Sequence, residues 1–319
     1  MTEIFIRPDA RFFLDMLESM GRPPLQQLTA LQLRENLNQT RALVEFPPPP
    51  LETVRDIMIP GPAGEIPARL FDPREEKAAA PMVVFFHGGG WVFGDLDSHA
   101  RLCADIAIGL NLPVVAVDYR LAPEAVWPAA PDDCEAATRW LASSPEMLDL
   151  EVTGIILCGD SAGGNLAAIT AAALRDSPAD VPVLAQALLY PATDVSKQYP
   201  SNQLFGEGYY LTQDSLDWFI KQYGADVNDA RMSPALGNLE GLPPSLVVAA
   251  GLDPLRDQAR AYAQELINQG VETVYYEAKG NVHGFASIRK IIPSSEEDIH
   301  DIIGLLYQLI SAKIFSETK

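Results

Sequence analysis

Six short apolar runs, at residues 82–86, 114–117, 155–158, 184–189, 246–250 and 271–277, follow one another along the chain. Stretches of helical spacing, at 99–110, 132–141, 165–175 and 255–268, separate most of them. Strands that are apolar on both faces must be covered on both, and parallel neighbours need a crossover long enough for a helix. The order therefore predicts an α/β fold, a mostly parallel central sheet flanked by helices. Ligands of such sheets bind beyond the C-terminal strand ends, so chemistry is sought there. Two further runs, 54–59 and 66–71, flank Gly61-Pro62-Ala63-Gly64 and read as a hairpin ahead of the sheet.

Residues 9–44 have a different texture. Asp9 is placed to cap a helix carrying Phe12, Phe13, Met16 and Leu17 at helical spacing; Gly21 ends it, and residues 28–44 resume the pattern. Pro47-Pro48-Pro49-Pro50 then forms a stiff connector, which predicts a separate lobe or lid before it. A second break, near residues 195–237, concentrates Phe205, Tyr209, Tyr210, Trp218, Phe219 and Tyr223 around one predicted helix at 213–223. Residues 1–48 and 196–236 are assigned to a helical cap, and 49–195 and 237–319 to the catalytic domain.

Composition removes several classes of function. With 23 Lys plus Arg against 43 Asp plus Glu, the net charge of −20 repels phosphate backbones and anionic membranes, so no nucleic-acid or membrane partner is expected. Cys103, Cys134 and Cys158 are widely spaced and lack a C-x-x-C pair; they read as buried free thiols in a reducing compartment, with no metal site. Glu3, Arg7, Asp9 and Arg11 interrupt any apolar signal core. The longest charge-free apolar segment, 161–174, is shorter than the roughly 20 residues of a membrane span. A cytoplasmic protein is expected.

Gly159-Asp160-Ser161-Ala162-Gly163 fits G-x-S-x-G, a turn that lifts a nucleophilic serine between a strand and a helix. No dinucleotide or P-loop fingerprint occurs, and no cofactor is expected. A serine hydroxyl needs a base, and four histidines are available. His300 reads as a surface residue of a terminal helix, and His99 as a solvated or capping residue at a helix start. His87 opens His87-Gly88-Gly89-Gly90-Trp91, whose glycines free backbone amides to converge on an oxyanion, so it reads as an anchor for that loop. His283, after the last strand, remains as the base. Asp253, just past residues 246–250, is the preferred acid; Asp257 and Asp194 are weaker candidates, and Glu272 and Glu277 read as solvent-facing. Asp160 adjoins Ser161 but points elsewhere, and is expected to brace the turn or nearby loops.

These segments, together with Tyr119-Arg120-Leu121-Ala122-Pro123-Glu124, Gly164-Asn165, Asp253-Pro254-Leu255 and His283-Gly284-Phe285, resemble the hormone-sensitive-lipase-like family of α/β-hydrolase carboxylesterases, in its GDSAG subgroup. The resemblance implies an α/β-hydrolase fold with a helical cap and a Ser161, Asp253, His283 triad. It also implies an oxyanion hole drawn from the amides of Gly88, Gly89 and Gly90 plus that of Ala162. The expected activity is hydrolysis of small-molecule, short-acyl esters through an acyl-enzyme, and homodimers are common in the subgroup. The alternatives are a non-catalytic ligand receptor on the same fold, which is expected to have lost a triad residue, and a lipase, amidase or lactonase variant of the same chemistry.

Overall fold

The structure is a computed structural model that describes residues 4–21 and 23–314. The outermost parts of the predicted cap and catalytic segments, residues 1–3 and 315–319, lie outside the described residues. In chain order the elements are α1 (Pro8–Ser19), α2 (Ala30–Val44), β1 (Thr53–Gly61), β2 (Gly64–Asp72), β3 (Ala80–Phe86), α3 (Ala100–Leu110), β4 (Val114–Val117) and α4 (Ala129–Ala142). They continue as β5 (Val152–Asp160), α5 (Ala162–Asp176), β6 (Val183–Leu189), α6 (Pro200–Phe205), α7 (Gln213–Tyr223), β7 (Ser245–Leu252), α8 (Arg256–Asn268), β8 (Thr273–Val282) and α9 (Ser295–Ile314).

All eight strands join one sheet in the order β1-β2-β4-β3-β5-β6-β7-β8. The hairpin β1–β2 is antiparallel and β2 pairs antiparallel with β4; from β4 to β8 every pairing is parallel. The apolar runs dictate this outcome because alternate residues of one strand feed opposite cores. Met82, Val84 and Phe86 of β3 pack with residues of α4, α5 and α8, whereas Val83 and Phe85 pack with residues of α3 and α9. The same division holds along β5 and β7, and α5, rich in alanine, lies close enough to bury Leu166, Ala167, Ala168, Ala171 and Leu174.

Three local features differ from the sequence reading. Asp9 caps nothing two or three residues on: Pro8 occupies the first turn of α1, and the Asp9 carboxylate accepts from the amide and hydroxyl of Ser294. The last strand runs on to Val282, because it bulges at Gly280, where φ is +72°, and then rejoins the sheet; Ala250 pairs with Ala278 but Leu252 with Val282. A short helix, α6, stands ahead of the predicted one in the insertion.

The N-terminal segment is also less separate than its proline connector predicts. Ala10, Phe13 and Leu14 of α1 share a core with Phe205 of α6 and with Leu252 and Val282 at the ends of β7 and β8. Ala30 and Leu33 of α2 pack in the main core that also takes Trp218 and Phe219 of α7. Both segments therefore meet at the C-terminal edge of the sheet, where the predicted chemistry lies. No helix among the described residues is long and apolar enough to cross a membrane.

Candidate active site

Ser161 sits between β5 and α5 with φ 54° and ψ −116°, a strained conformation for a residue with a Cβ. Bonds on both sides hold it there: its amide donates to the Leu189 carbonyl at 2.8 Å, and its carbonyl accepts from the Asn165 amide at 3.0 Å. The flanking glycines serve close approach. A Cβ on Gly163 would collide with the Phe86 carbonyl, and one on Gly159 with the carbonyl of Gly163.

Two strand ends bring the partners. His283 follows β8, and its Nε2 lies 2.8 Å from Ser161 Oγ. Its Nδ1 lies 2.7 Å from Oδ2 of Asp253, a fully buried residue that follows β7. The other Asp253 oxygen accepts the Leu255 amide at 2.8 Å, which fixes the carboxylate plane. An ionised carboxylate only accepts, so Nδ1 carries the hydrogen and Nε2 presents its lone pair to the serine hydroxyl. The rejected acids are engaged elsewhere: Asp257 with Arg256 and Arg260, Asp194 with Ser196, Tyr199 and Lys197, and Glu277 with Arg260. Glu272 and His300 are exposed, as expected.

The glycine loop follows β3. The Gly88 amide donates to Asp160 Oδ1 at 2.7 Å, so it is committed and drops out of the predicted set of oxyanion donors. Among the described residues, the amides of Gly89 and Gly90 have no protein partner. Ala162 begins α5, where the first amide has no intrahelical acceptor. The Phe219 ring lies so close to Gly90, which has φ +60°, that a Cβ there would strike it. His87 anchors the loop as expected: Nδ1 lies 2.8 Å from the Gly88 carbonyl, and the ring stacks on Tyr119 at 4.3 Å. Burial, reinforced by the nearby His99, pushes its pKa down to about 4, so His87 is neutral at pH 7. The Asp118 carboxylate 3.8 Å from its Nε2 is therefore no ion-pair partner at that pH.

A family model for the alpha/beta hydrolase fold matches residues 83–287. The chain belongs to that family. Within it, the motifs and relatives place this hydrolase in the hormone-sensitive-lipase-like branch. It is 41% identical over 278 residues to the carboxylic ester hydrolase LipN of Mycobacterium tuberculosis, covering 83% of this chain and 73% of that one. It is 35% identical to the ethyl acetate hydrolase of Pseudomonas putida, over 95% of this chain and 99% of that one. Among solved structures, an ester hydrolase from the metagenome of Lake Arreo, complexed with a bipyridine phosphonate derivative, superposes with a TM-score of 0.90 at 36% identity, covering 95% of this chain and 98% of that one. This α/β hydrolase is a serine ester hydrolase.

Two functional neighbours escaped the sequence reading. His99 is buried, makes no capping bond, and places Nε2 3.1 Å from Asp160 Oδ1; the solvated or capping role expected of it is wrong. Arg34 of α2 donates to the carbonyls of Val92, at 2.7 Å, and Ala122, at 2.9 Å, and pairs with Glu124. It thus ties the hydrolase's N-terminal segment to the stretch that follows the glycine loop. The only signal for His99 was indirect: a buried Asp160 demands a counter-charge, and its chain neighbours offer none.

Proposed function

We propose that this hydrolase cleaves small esters of short carboxylic acids through an acyl-enzyme on Ser161. His283 Nε2 takes the hydroxyl proton as Ser161 Oγ bonds to the ester carbonyl carbon, and the carbonyl π electrons become an oxyanion. The free amides of Gly89, Gly90 and Ala162 receive that oxygen, each donor supplying ~3 kcal/mol at the transition state. The carbon–alkoxy bond then breaks, and His283 returns the proton to the departing alcohol. Water, losing its proton to the same nitrogen, attacks the acyl carbon; the bond from that carbon to Ser161 Oγ then breaks, His283 returns the proton to Oγ, and the acid leaves. Asp253 orients the ring and stabilises the imidazolium without accepting the proton.

The observation that carries this reading is the unbroken relay from Asp253 through His283 to Ser161, at 2.7 Å and 2.8 Å. A receptor that had abandoned chemistry has no need to keep it. Restriction to short acyl groups is supported by the aromatic crowding of the site: Phe219 over Gly90 and Tyr210 beside Gly284. It is also supported by the ethyl acetate hydrolase among the relatives. Residues 1–48 and 196–236 act as the cap in this reading, since both supply side chains over the strand ends. Three buried thiols fit a cytoplasmic setting.

A series of p-nitrophenyl esters from acetate to dodecanoate tests the proposal. The expected kcat/KM is highest for acetate or butyrate and falls with longer chains, and Ser161→Ala loses about a millionfold in kcat. A phosphonate probe should label Ser161 stoichiometrically. Undiminished hydrolysis by Ser161→Ala, or a preference for dodecanoate, would overturn it.

A further inference from the structure

Asp160, one residue before the nucleophile, is buried at 3% exposure, and a buried carboxylate requires both hydrogen bonds and a counter-charge. The Gly88 amide supplies one bond at 2.7 Å, and His99 Nε2 stands 3.1 Å from the same oxygen. The neighbouring donors and acceptors point to the state of that ring. Ser98 Oγ owns a single hydrogen, donated to the Asp95 carbonyl at 2.8 Å. With that hydrogen directed at the Asp95 carbonyl, the 2.9 Å contact with His99 Nδ1 is read as an Nδ1–H donating to the serine oxygen. Ionised Asp160 accepts only, so Nε2 carries a hydrogen as well. A ring protonated on both nitrogens is an imidazolium. His87, whose ring centre lies 5.7 Å away, is the complement: Nδ1 donates to Gly88, and Nε2 is buried with no partner among the described residues.

We infer that His99 is held as an imidazolium whose ion pair with Asp160 positions the Gly88 to Gly90 loop for stabilisation of the oxyanion. The inference rests on the oxyanion hole proposed above and adds a residue that touches neither substrate nor nucleophile. The chain of contacts is short. His99 keeps Asp160 ionised, ionised Asp160 takes the Gly88 amide in a charge-assisted bond, and the next two amides are left without a partner among the described residues. Burial is the largest influence and opposes the charge on His99, but Asp160, Asp95 and Glu45, all acting in the other direction, together outweigh it and raise the ring's pKa. His87 is the other titratable ring facing it, and Cys103, Cys158, Tyr119 and Tyr190, which also face Asp160, are held neutral by burial. Because the pKa is raised, the imidazolium is intact at lower pH and is lost as pH rises through that value. The loop should loosen on the alkaline side.

Two measurements test this. In ¹⁵N-histidine spectra of the wild-type enzyme at pH 7.5, one buried ring should show both nitrogens protonated and another should be neutral. The exposed His300 is assigned through His300→Gln, and His283 through its shift on phosphonate labelling, leaving His87 and His99. Two neutral rings in that remaining pair would overturn the inference without any variant having to fold. In kinetics, His99→Gln should lower kcat about tenfold to a hundredfold with little change in KM, as expected for misplaced transition-state donors. The alkaline fall in kcat of the wild type should be absent from the variant. A folded His99→Gln with wild-type kcat would also overturn it. Phosphonate labelling of wild-type Ser161 separates the two levels: normal labelling with a failed His99 test sinks only this inference, whereas absent labelling sinks the site reading beneath it.

Discussion

The two histidines behind the glycine loop are pushed in opposite directions: burial drives the His87 ring down, whereas the carboxylates facing His99, Asp160 foremost, raise that ring against its burial. For His87 the consequence is an acid-labile term in stability. Its folded pKa is about 4 against 6.5 for the unfolded ring, with burial as the leading cause. Between those values the unfolded chain binds a proton that the folded chain refuses, so stability falls as pH drops from 6.5 toward 4 and the term is spent below that. At about 1.4 kcal/mol per unit the loss across the window is about 3 kcal/mol. His87→Phe keeps an apolar ring to stack on Tyr119 and has no proton to bind. Urea unfolding at pH 6.5 and pH 4 should therefore show wild type losing about 3 kcal/mol more than the variant. Equal losses would mean that the ring is not held neutral. Such behaviour is invisible in the sequence, where His87 and His99 are two polar residues beside strand and helix ends. The nucleophile and its two partners were legible for the opposite reason: each follows an apolar run by six residues or fewer, so local pattern already puts all three at one sheet edge.

At the scale of elements, α1 illustrates what local pattern misses. Its start is fastened at a place that no periodicity encodes: the Arg7 amide donates to the Gly280 carbonyl at 3.1 Å, and its Nε to the Lys279 carbonyl at 2.8 Å. The same guanidinium grips Asp298 of α9 through both oxygens, at 2.6 Å and 2.8 Å. These contacts brace the bulge of β8, three residues before His283. Asp9 was read as a cap because capping is local; its actual partner, Ser294, is 285 residues away. The strands, by contrast, were read within a few residues, since burial on both faces writes itself as an unbroken apolar run. The Arg7–Asp298 pair predicts a measurable penalty. Asp298 is 2% exposed, and Arg7→Ala would leave it, among the described residues, with Asn281 and Tyr276 as its side-chain hydrogen-bond partners. A loss of about 3 kcal/mol is expected, seen as a lower thermal midpoint, with earlier proteolysis of the N-terminal segment. An unchanged midpoint together with unchanged proteolysis would show that α1 is held by its apolar face alone.

Across the whole molecule, the sheet gathers one site from four strand ends: the glycine loop after β3, Ser161 after β5, Asp253 after β7 and His283 after β8. The charge on the chain is distributed on a different principle. Its cations are largely occupied, with Arg7, Arg34, Arg69, Arg120 and Arg289 each paired to carboxylates, so the surplus behind the net −20 is acidic surface. A field of that sign lowers the local concentration of anionic substrates and leaves neutral ones untouched. Screening is the test, because the Debye length falls from about 30 Å at 0.01 M salt to about 3 Å at 1 M. A neutral acetate ester and an analogue carrying a remote carboxylate should be compared by kcat/KM across that range. The neutral ester should change little. The anionic one should start several-fold poorer and close most of the gap as salt rises, through KM more than kcat, because repulsion acts on approach and the acyl-transfer step is shielded within the site. If the ratio of the two stays constant, the handicap of the carboxylate lies in contacts inside the site, such as the Phe219 ring over Gly90, and the acidic surface has no part in selecting substrates.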